Sequence, residues 1–196
     1  MHGAPPDQST PEGRTILSVL HLIPKPGEAE HELEARAEMG GVKWFMRIDW
    51  IDHIVPGVLA QFGDLKTTGS FDWQKTPETL TTDPQAILYG TFVARRLEVP
   101  RVVGRWVYGI RAKRPPPGRQ TVFTATRDEL EARFEPLAAR ARGLEQIVSW
   151  DPFDLPRNLG DCHSFHRPCE FMGECYAGDP PSAKERLAAE LVQIRS

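Results

Sequence analysis

At 196 residues, with 40% hydrophobic and 26% charged content, the chain is long enough to bury a core in one domain and reads as globular rather than disordered or fibrous. No apolar run reaches the length of a membrane span, and the stretch Met1–Arg14 lacks the hydrophobic centre of a signal peptide, so a cytoplasmic protein is predicted. A net charge of -3 does not advertise a nucleic-acid partner, and three cysteines, an odd number, argue against a disulfide framework and towards a metal or free thiols.

Residues 1–13 are rich in Pro, Gly and polar side chains and are expected to be disordered. The apolar, β-branched run Thr15 to Ile23 reads as a strand, broken by Pro24-Lys25-Pro26-Gly27. Two strands over 30–37 and 42–52 are joined by a turn at Met39-Gly40-Gly41, and a third runs from Val58 to Lys66. Asp83-Pro84 sets a cap and a first helical position, opening a helix to about Leu97. Strands follow at Val102–Ile110 and Thr121–Ala125, and Thr126 with Glu129 forms a capping-box signature for a helix to about Val148. Residues 149–180 are rich in Pro, Gly and Cys and read as an irregular lobe, before a last helix over Ser182–Ile194. Strands, helix, two strands and a helix imply an α/β (α+β) protein with a mixed sheet and helices packed against it.

Strand alternation selects among the acidic residues. Trp44, Met46, Ile48 and Trp50 share one apolar face, and Asp49 falls on the other with Phe45, Arg47 and Ile51. Asp49 is therefore preferred over Asp52 as a functional carboxylate. Asp64 and Lys66, two apart in the next strand, face the same way. If the two strands are neighbours, two carboxylates and an ammonium converge, and oxygen ligands of this kind suit Mg²⁺ or Mn²⁺. An isolated Asp-x-Lys is usually a solvated ion pair. The helix that follows adds weight, because Gln85 and Tyr89 are four apart and share a helix face.

Between Arg95 and Arg119 stand eight basic residues (Arg95, Arg96, Arg101, Arg105, Arg111, Lys113, Arg114 and Arg119) against the single acid Glu98, a stripe suited to phosphates. Trp73, on the loop after the third strand, is placed to stack on a base or to pin the loop down. Cys162, Cys169 and Cys175, with His163 and His166 among them, are spaced for a metal; three thiols and one imidazole would satisfy tetrahedral Zn²⁺.

The ordered set Asp49, then Gly63-Asp64-Leu65-Lys66-Thr67-Thr68, then Asp83-Pro84-Gln85-Ala86-Ile87-Leu88-Tyr89, resembles the RecB-like branch of the PD-(D/E)xK nuclease superfamily, which includes phage and CRISPR-associated exonucleases. The likeness extends over residues 24–176. It implies a restriction-endonuclease-like mixed central sheet flanked by helices over residues 14–150, a Cys-rich metal-binding lobe at 151–180 and a C-terminal helix at 181–196. Asp49 and Asp64 would hold the catalytic Mg²⁺ or Mn²⁺, with the Leu65 carbonyl as a further ligand. Lys66 would be the catalytic lysine, and Gln85 and Tyr89 would match the family's helix motif. The implied activity is metal-dependent hydrolysis of DNA, single-stranded or at duplex ends, in recombination, repair or phage DNA processing, with a recombination protein as a candidate partner. Arg95, Arg96, Arg105, Arg111, Lys113, Arg114 and Trp73 would meet the DNA. The cysteine triplet resembles the family's 4Fe-4S site, leaving that cluster and Zn²⁺ as alternatives. The chain departs from the family in having no fourth cysteine and no match to the helical region that carries the family's first cysteine and a metal-binding histidine. His21 and His31 lie in no matching motif, and His53 reads as a turn residue. A weakened or inactive nuclease that binds DNA or serves as a scaffold is the alternative expectation.

Overall fold

Gly40 and Gly41 both take positive φ, 60° and 73°, the backbone of a tight hairpin turn that most side chains resist. They join β1 (Glu30–Met39) to β2 (Val42–Val55), the antiparallel pair expected from the sequence. The computed structural model describes residues 6–147; the cysteine lobe and the C-terminal helix lie outside the described residues. β3 (Leu59–Thr68) runs antiparallel to β2, β4 (Arg101–Ile110) parallel to β3, and β5 (Arg119–Thr126) antiparallel to β4. The sheet order is β1-β2-β3-β4-β5. Its one parallel step needs a crossover, which α2 (Pro77–Thr82) and α3 (Pro84–Arg96) supply. The fold is mixed α+β, a five-stranded mixed sheet flanked by helices, as expected.

Helix starts follow side-chain chemistry. Thr10, Thr76 and Asp83 each cap a helix that begins with Pro, accepting the N–H of Gly13, Thr79 and Ala86 respectively. In α4 (Arg127–Ile147) the capping box is realised: Glu129 N–H donates to Thr126 Oγ1 at 3.2 Å, and Thr126 N–H donates to Glu129 Oε2 at 2.8 Å.

The N-terminal expectation is corrected. Residues 11–19 form α1 (Pro11–Val19), followed by a 3-10 turn at Leu20–Leu22, where the sequence predicts disorder and then a strand. β-branched content is a weak prior for a strand. Here the Thr10-Pro11 start signal and packing win: Val19 is fully buried, and Thr15 Oγ1 donates to the Ile110 carbonyl at 3.1 Å.

Two apolar clusters hold the sheet. The larger joins Met46, Ile48, Ile51, Phe62, Trp106 and Phe123 to residues of α3 and α4, including Val93, Leu130 and Phe134. Phe62 lies edge-on to Trp106, Phe123 and Tyr89, with centroids 5.8, 6.1 and 6.4 Å away. Each such buried side chain contributes about 1.5–3 kcal/mol, and Phe62 fixes β3 two residues before Asp64. The smaller cluster is Val19, Trp50 and Val107, with Leu65 packed against it. Among the described residues no helix is long and apolar enough to cross a membrane.

Candidate active site

Pairing between β2 and β3 runs from Val55–Leu59 to Trp50–Gly63 and stops there. The next residues along the two strands are Asp49 and Asp64. Past that point the Leu65 N–H donates to Asp49 Oδ2 at 2.5 Å instead of to a main-chain carbonyl. Because N–H and C=O of one strand residue project to the same edge, the Leu65 carbonyl faces this gap too.

An irregularity in β1 lies at the same level. Glu32, between the pairs His31–Trp50 and Leu33–Ile48, takes φ 50°, a left-handed backbone that disrupts a strand. The alternation of β2 slips where Asp49 sits. Ile48 and Ile51 both join the larger core, and Trp50 turns to the smaller one. This corrects the expectation that Trp50 shares a face with Ile48. Asp52 pairs with Gln61 instead and acts electrostatically on Arg105, so Asp49 is the carboxylate beside Asp64.

Asp64 is 4% exposed. Gln85 Nε2 donates to its Oδ1 at 2.7 Å, and Lys66 Nζ donates to Gln85 Oε1 at 3.1 Å. The Lys66 ammonium also lies 2.7 Å from Asp64 Oδ2, yet that buried oxygen has no hydrogen bond of good geometry. The distance gives charge compensation and the angle denies a full bond, so Oδ2 keeps acceptor capacity free. One turn along α3, the Tyr89 hydroxyl donates to the Arg47 carbonyl at 2.6 Å, tying the helix to β2 two residues before Asp49. Burial pushes the half-buried Asp49 carboxyl above the ordinary aspartate range; the Leu65 N–H opposes this, and the Asp64 charge adds to it. Asp49, Asp64, Leu65, Lys66, Gln85 and Tyr89 are thus brought to one place.

The basic stripe is not brought together. Arg95 makes a two-point pair with Glu131, and Arg96 pairs with Glu30 at 3.1 Å. Arg105 donates to Gln120 Oε1 and to the Leu22 carbonyl. Arg119 lies over the Phe71 ring at 4.2 Å. Arg111, Lys113 and Arg114 are exposed on the β4–β5 connection, at the end of the sheet where β3 passes Lys66. Trp73 is 70% exposed in a 3-10 turn at Phe71–Trp73, so it does not pin the loop down. His21, His31 and His53 are all exposed, and His53 lies in the β2 irregularity between Asp52 and Val55, towards the end of β2 away from Asp64. Cys162, Cys169, Cys175, His163 and His166 lie outside the described residues.

Among the described residues no group of three His, Cys, Asp or Glu side chains is placed to share an ion, so the candidate cation seat is two carboxylates and a carbonyl. A cleft of about 570 Å³, lined by Val55, Leu59, Arg101 and Thr126 among others, sits at the opposite ends of the strands and holds none of this chemistry. Sequence reasoning missed Tyr108, which stands opposite Lys66 in the β3–β4 pairing, and the side-chain contact between Lys75 and Asp83. Neither shows in local spacing, because both depend on the crossover.

Fold and site together define a mixed α+β protein with a carboxylate–lysine–glutamine cluster where two strands part. No family model matches the chain, and no curated protein matches it. A solved structure, the crystal structure of SSO0001, is similar at 19% identity and a TM-score of 0.42, over 76% of this chain and 63% of that one. The chain thus spans less than two thirds of that protein's length.

Proposed function

We propose that the chain is a Mg²⁺- or Mn²⁺-dependent deoxyribonuclease of the RecB-like type, an exonuclease acting in the cytoplasm on DNA in recombination, repair or phage DNA processing. One observation carries this best. Asp49 and Asp64 meet where β2 and β3 part, and the buried Asp64 Oδ2 is left without a hydrogen bond. Its charge is compensated by the Lys66 ammonium at 2.7 Å, and as an anionic acceptor without a hydrogen bond it would also serve a divalent cation. The donor set fits such an ion: Asp49, Asp64 and the Leu65 carbonyl are all oxygen ligands.

A bound cation polarises a phosphate and acidifies a water. The remaining chemistry belongs to the chain. Lys66, held beside Asp64 and Gln85, would offer its ammonium to the charge developing on the phosphate. Gln85 holds Asp64 and Lys66 in register through two bonds, so neither reorients during reaction. Tyr89 fixes β2 and with it the position of Asp49. The sparse ligand set favours a second reading, a DNA-binding or scaffold subunit that retains this site without turnover.

Incubation of the purified chain with labelled single- and double-stranded DNA, with Mn²⁺ or with a chelator, separates the two. Cleavage that needs the metal and is lost in Lys66→Ala and Asp64→Asn is expected. Binding without cleavage would favour the scaffold reading. Cleavage unaffected by Lys66→Ala would sink the assignment of the site.

A further inference from the structure

We infer that Lys75 contacts a phosphate of the substrate strand beside the cleavage position, a role that rests on the nuclease reading above. Its main chain is held at both polar groups by side chains of the sheet. The Lys75 N–H donates to the Tyr108 hydroxyl at 3.1 Å, and the Lys75 carbonyl accepts from Thr121 Oγ1 at 2.7 Å. Tyr108 and Thr121 are 3% and 5% exposed, so the anchors are rigid. Tyr108 stands opposite Lys66 in the β3–β4 pairing, and both Lys66 and Lys75 act electrostatically on its hydroxyl.

The Lys75 ammonium rests on Asp83, the residue that caps α3 two positions before Gln85. A surface ion pair of this kind is usually weak and often incidental. Two features point further. The Lys75 side chain is 39% exposed while that of Asp83 is 13% exposed, so the cation, with three donors, faces solvent more than its partner does. The local charge also needs it. Among the groups here that are not fully exposed, Asp49, Asp64 and Asp83 are anionic and Lys66 and Lys75 cationic. Removing Lys75 makes this cluster one charge more negative and so less attractive to a phosphodiester. A tethered ammonium also loses little freedom on binding.

The test is fluorescence anisotropy of a labelled DNA oligonucleotide with the full chain, in Ca²⁺ to hold off cleavage, over a series of salt concentrations. Lys75→Ala and Lys75→Gln are both expected to weaken binding about 5- to 10-fold and to lower the slope of log K against log salt by about 0.7–0.9, the share of one phosphate contact. Lys75→Arg should restore both. Asp83→Asn keeps a capping side chain and frees Lys75, so it should bind DNA at least as well as the native chain. Native-like affinity and slope in both Lys75→Ala and Lys75→Gln would overturn the inference. So would an equal loss in Asp83→Asn, which marks a structural clamp. If the native chain cleaves DNA and the lysine variants bind normally, this inference alone falls; if the native chain neither binds nor cleaves, the nuclease reading falls with it.

Discussion

Gln85 donates through Nε2 to Asp64 Oδ1 at 2.7 Å, and its own Oε1 accepts from Lys66 at 3.1 Å. A primary amide is the side chain that offers a donor and an acceptor on one planar group. It therefore holds a carboxylate and an ammonium at fixed positions where either alone would follow its counter-ion.

Gln85→Ala removes both bonds and leaves a buried carboxylate oxygen bare. The expected cost is about 1–2 kcal/mol, a drop of about 3–6 °C in melting temperature for a chain of this size. Cleavage should fall on the order of 10–100-fold at saturating Mn²⁺, because the two groups lose their mutual geometry. Gln85→Glu, an acceptor set against Asp64, should fare no better. Single-turnover cleavage with thermal melts checks both; full activity in Gln85→Glu would show that Asp64 does not need the donor.

Asp49 holds its proton more tightly in the native state than in the unfolded chain, chiefly through burial. Its contribution to stability is full below the unfolded pKa and is lost as pH rises through the higher native one. Asp49→Asn stays neutral throughout and can still accept the Leu65 N–H. It should melt above the native chain at pH 7, by on the order of 1–2 °C, small because the group is only half-buried. The gain should vanish below about pH 4. On the proposed function, cleavage should be lost at every pH, since one carboxylate of the proposed cation seat is gone. Melts from pH 3 to 8 decide it, and an unchanged melting temperature at pH 7 would mean that Asp49 carries no strain.

The residues of this cluster were legible because each belongs to a local period. Asp64 and Lys66 are two apart on a strand, Gln85 and Tyr89 four apart on a helix that Asp83-Pro84 announces. Alternation picks out Asp49, although the strand slips at that residue and sends Trp50 to the other face. That slip lies opposite the left-handed Glu32 of the neighbouring strand, which no pattern within β2 reports. α1 was hidden under a β-branched run, yet its Thr10-Pro11 start matches the Thr76-Pro77 and Asp83-Pro84 starts and was readable. The basic stripe is dispersed for a different reason. Ten residues of α3 carry Arg95 about 15 Å from Gln85, and its partner Glu131 comes from a distant part of the chain.

Gly63 is where the last β2–β3 pair closes, and the Trp50 ring lies across it. A Cβ at Gly63 would come within 1.8 Å of that ring. Trp50 is 1% exposed and has no room to retreat. Gly63→Ala is expected to cost about 3 kcal/mol, the upper range for overpacking a core, and to lower the melting temperature by about 6–12 °C. Asp49 and Asp64 adjoin this pair, so metal-dependent cleavage should fall even at temperatures where the variant remains folded. Circular dichroism with activity at 15 °C tests it; a fully active variant would mean that the spacing of the two strands does not govern the site.

Tyr89 tests whether the helix positions the strand. Its hydroxyl donates to the Arg47 carbonyl at 2.6 Å, and its ring packs edge-on against Phe62. Tyr89→Phe keeps the ring and removes the bond, at a cost of about 1 kcal/mol and about 2–4 °C. If the bond sets the place of Asp49, the Mn²⁺ concentration for half-maximal cleavage should rise about 3- to 10-fold, with little change in rate once the metal saturates. Tyr89→Leu, which loses the ring as well, should show the same shift in metal requirement with a larger loss of stability. A variant that melts lower but needs no more metal would reduce Tyr89 to a packing residue and leave Gln85 as the contact through which α3 acts on the site.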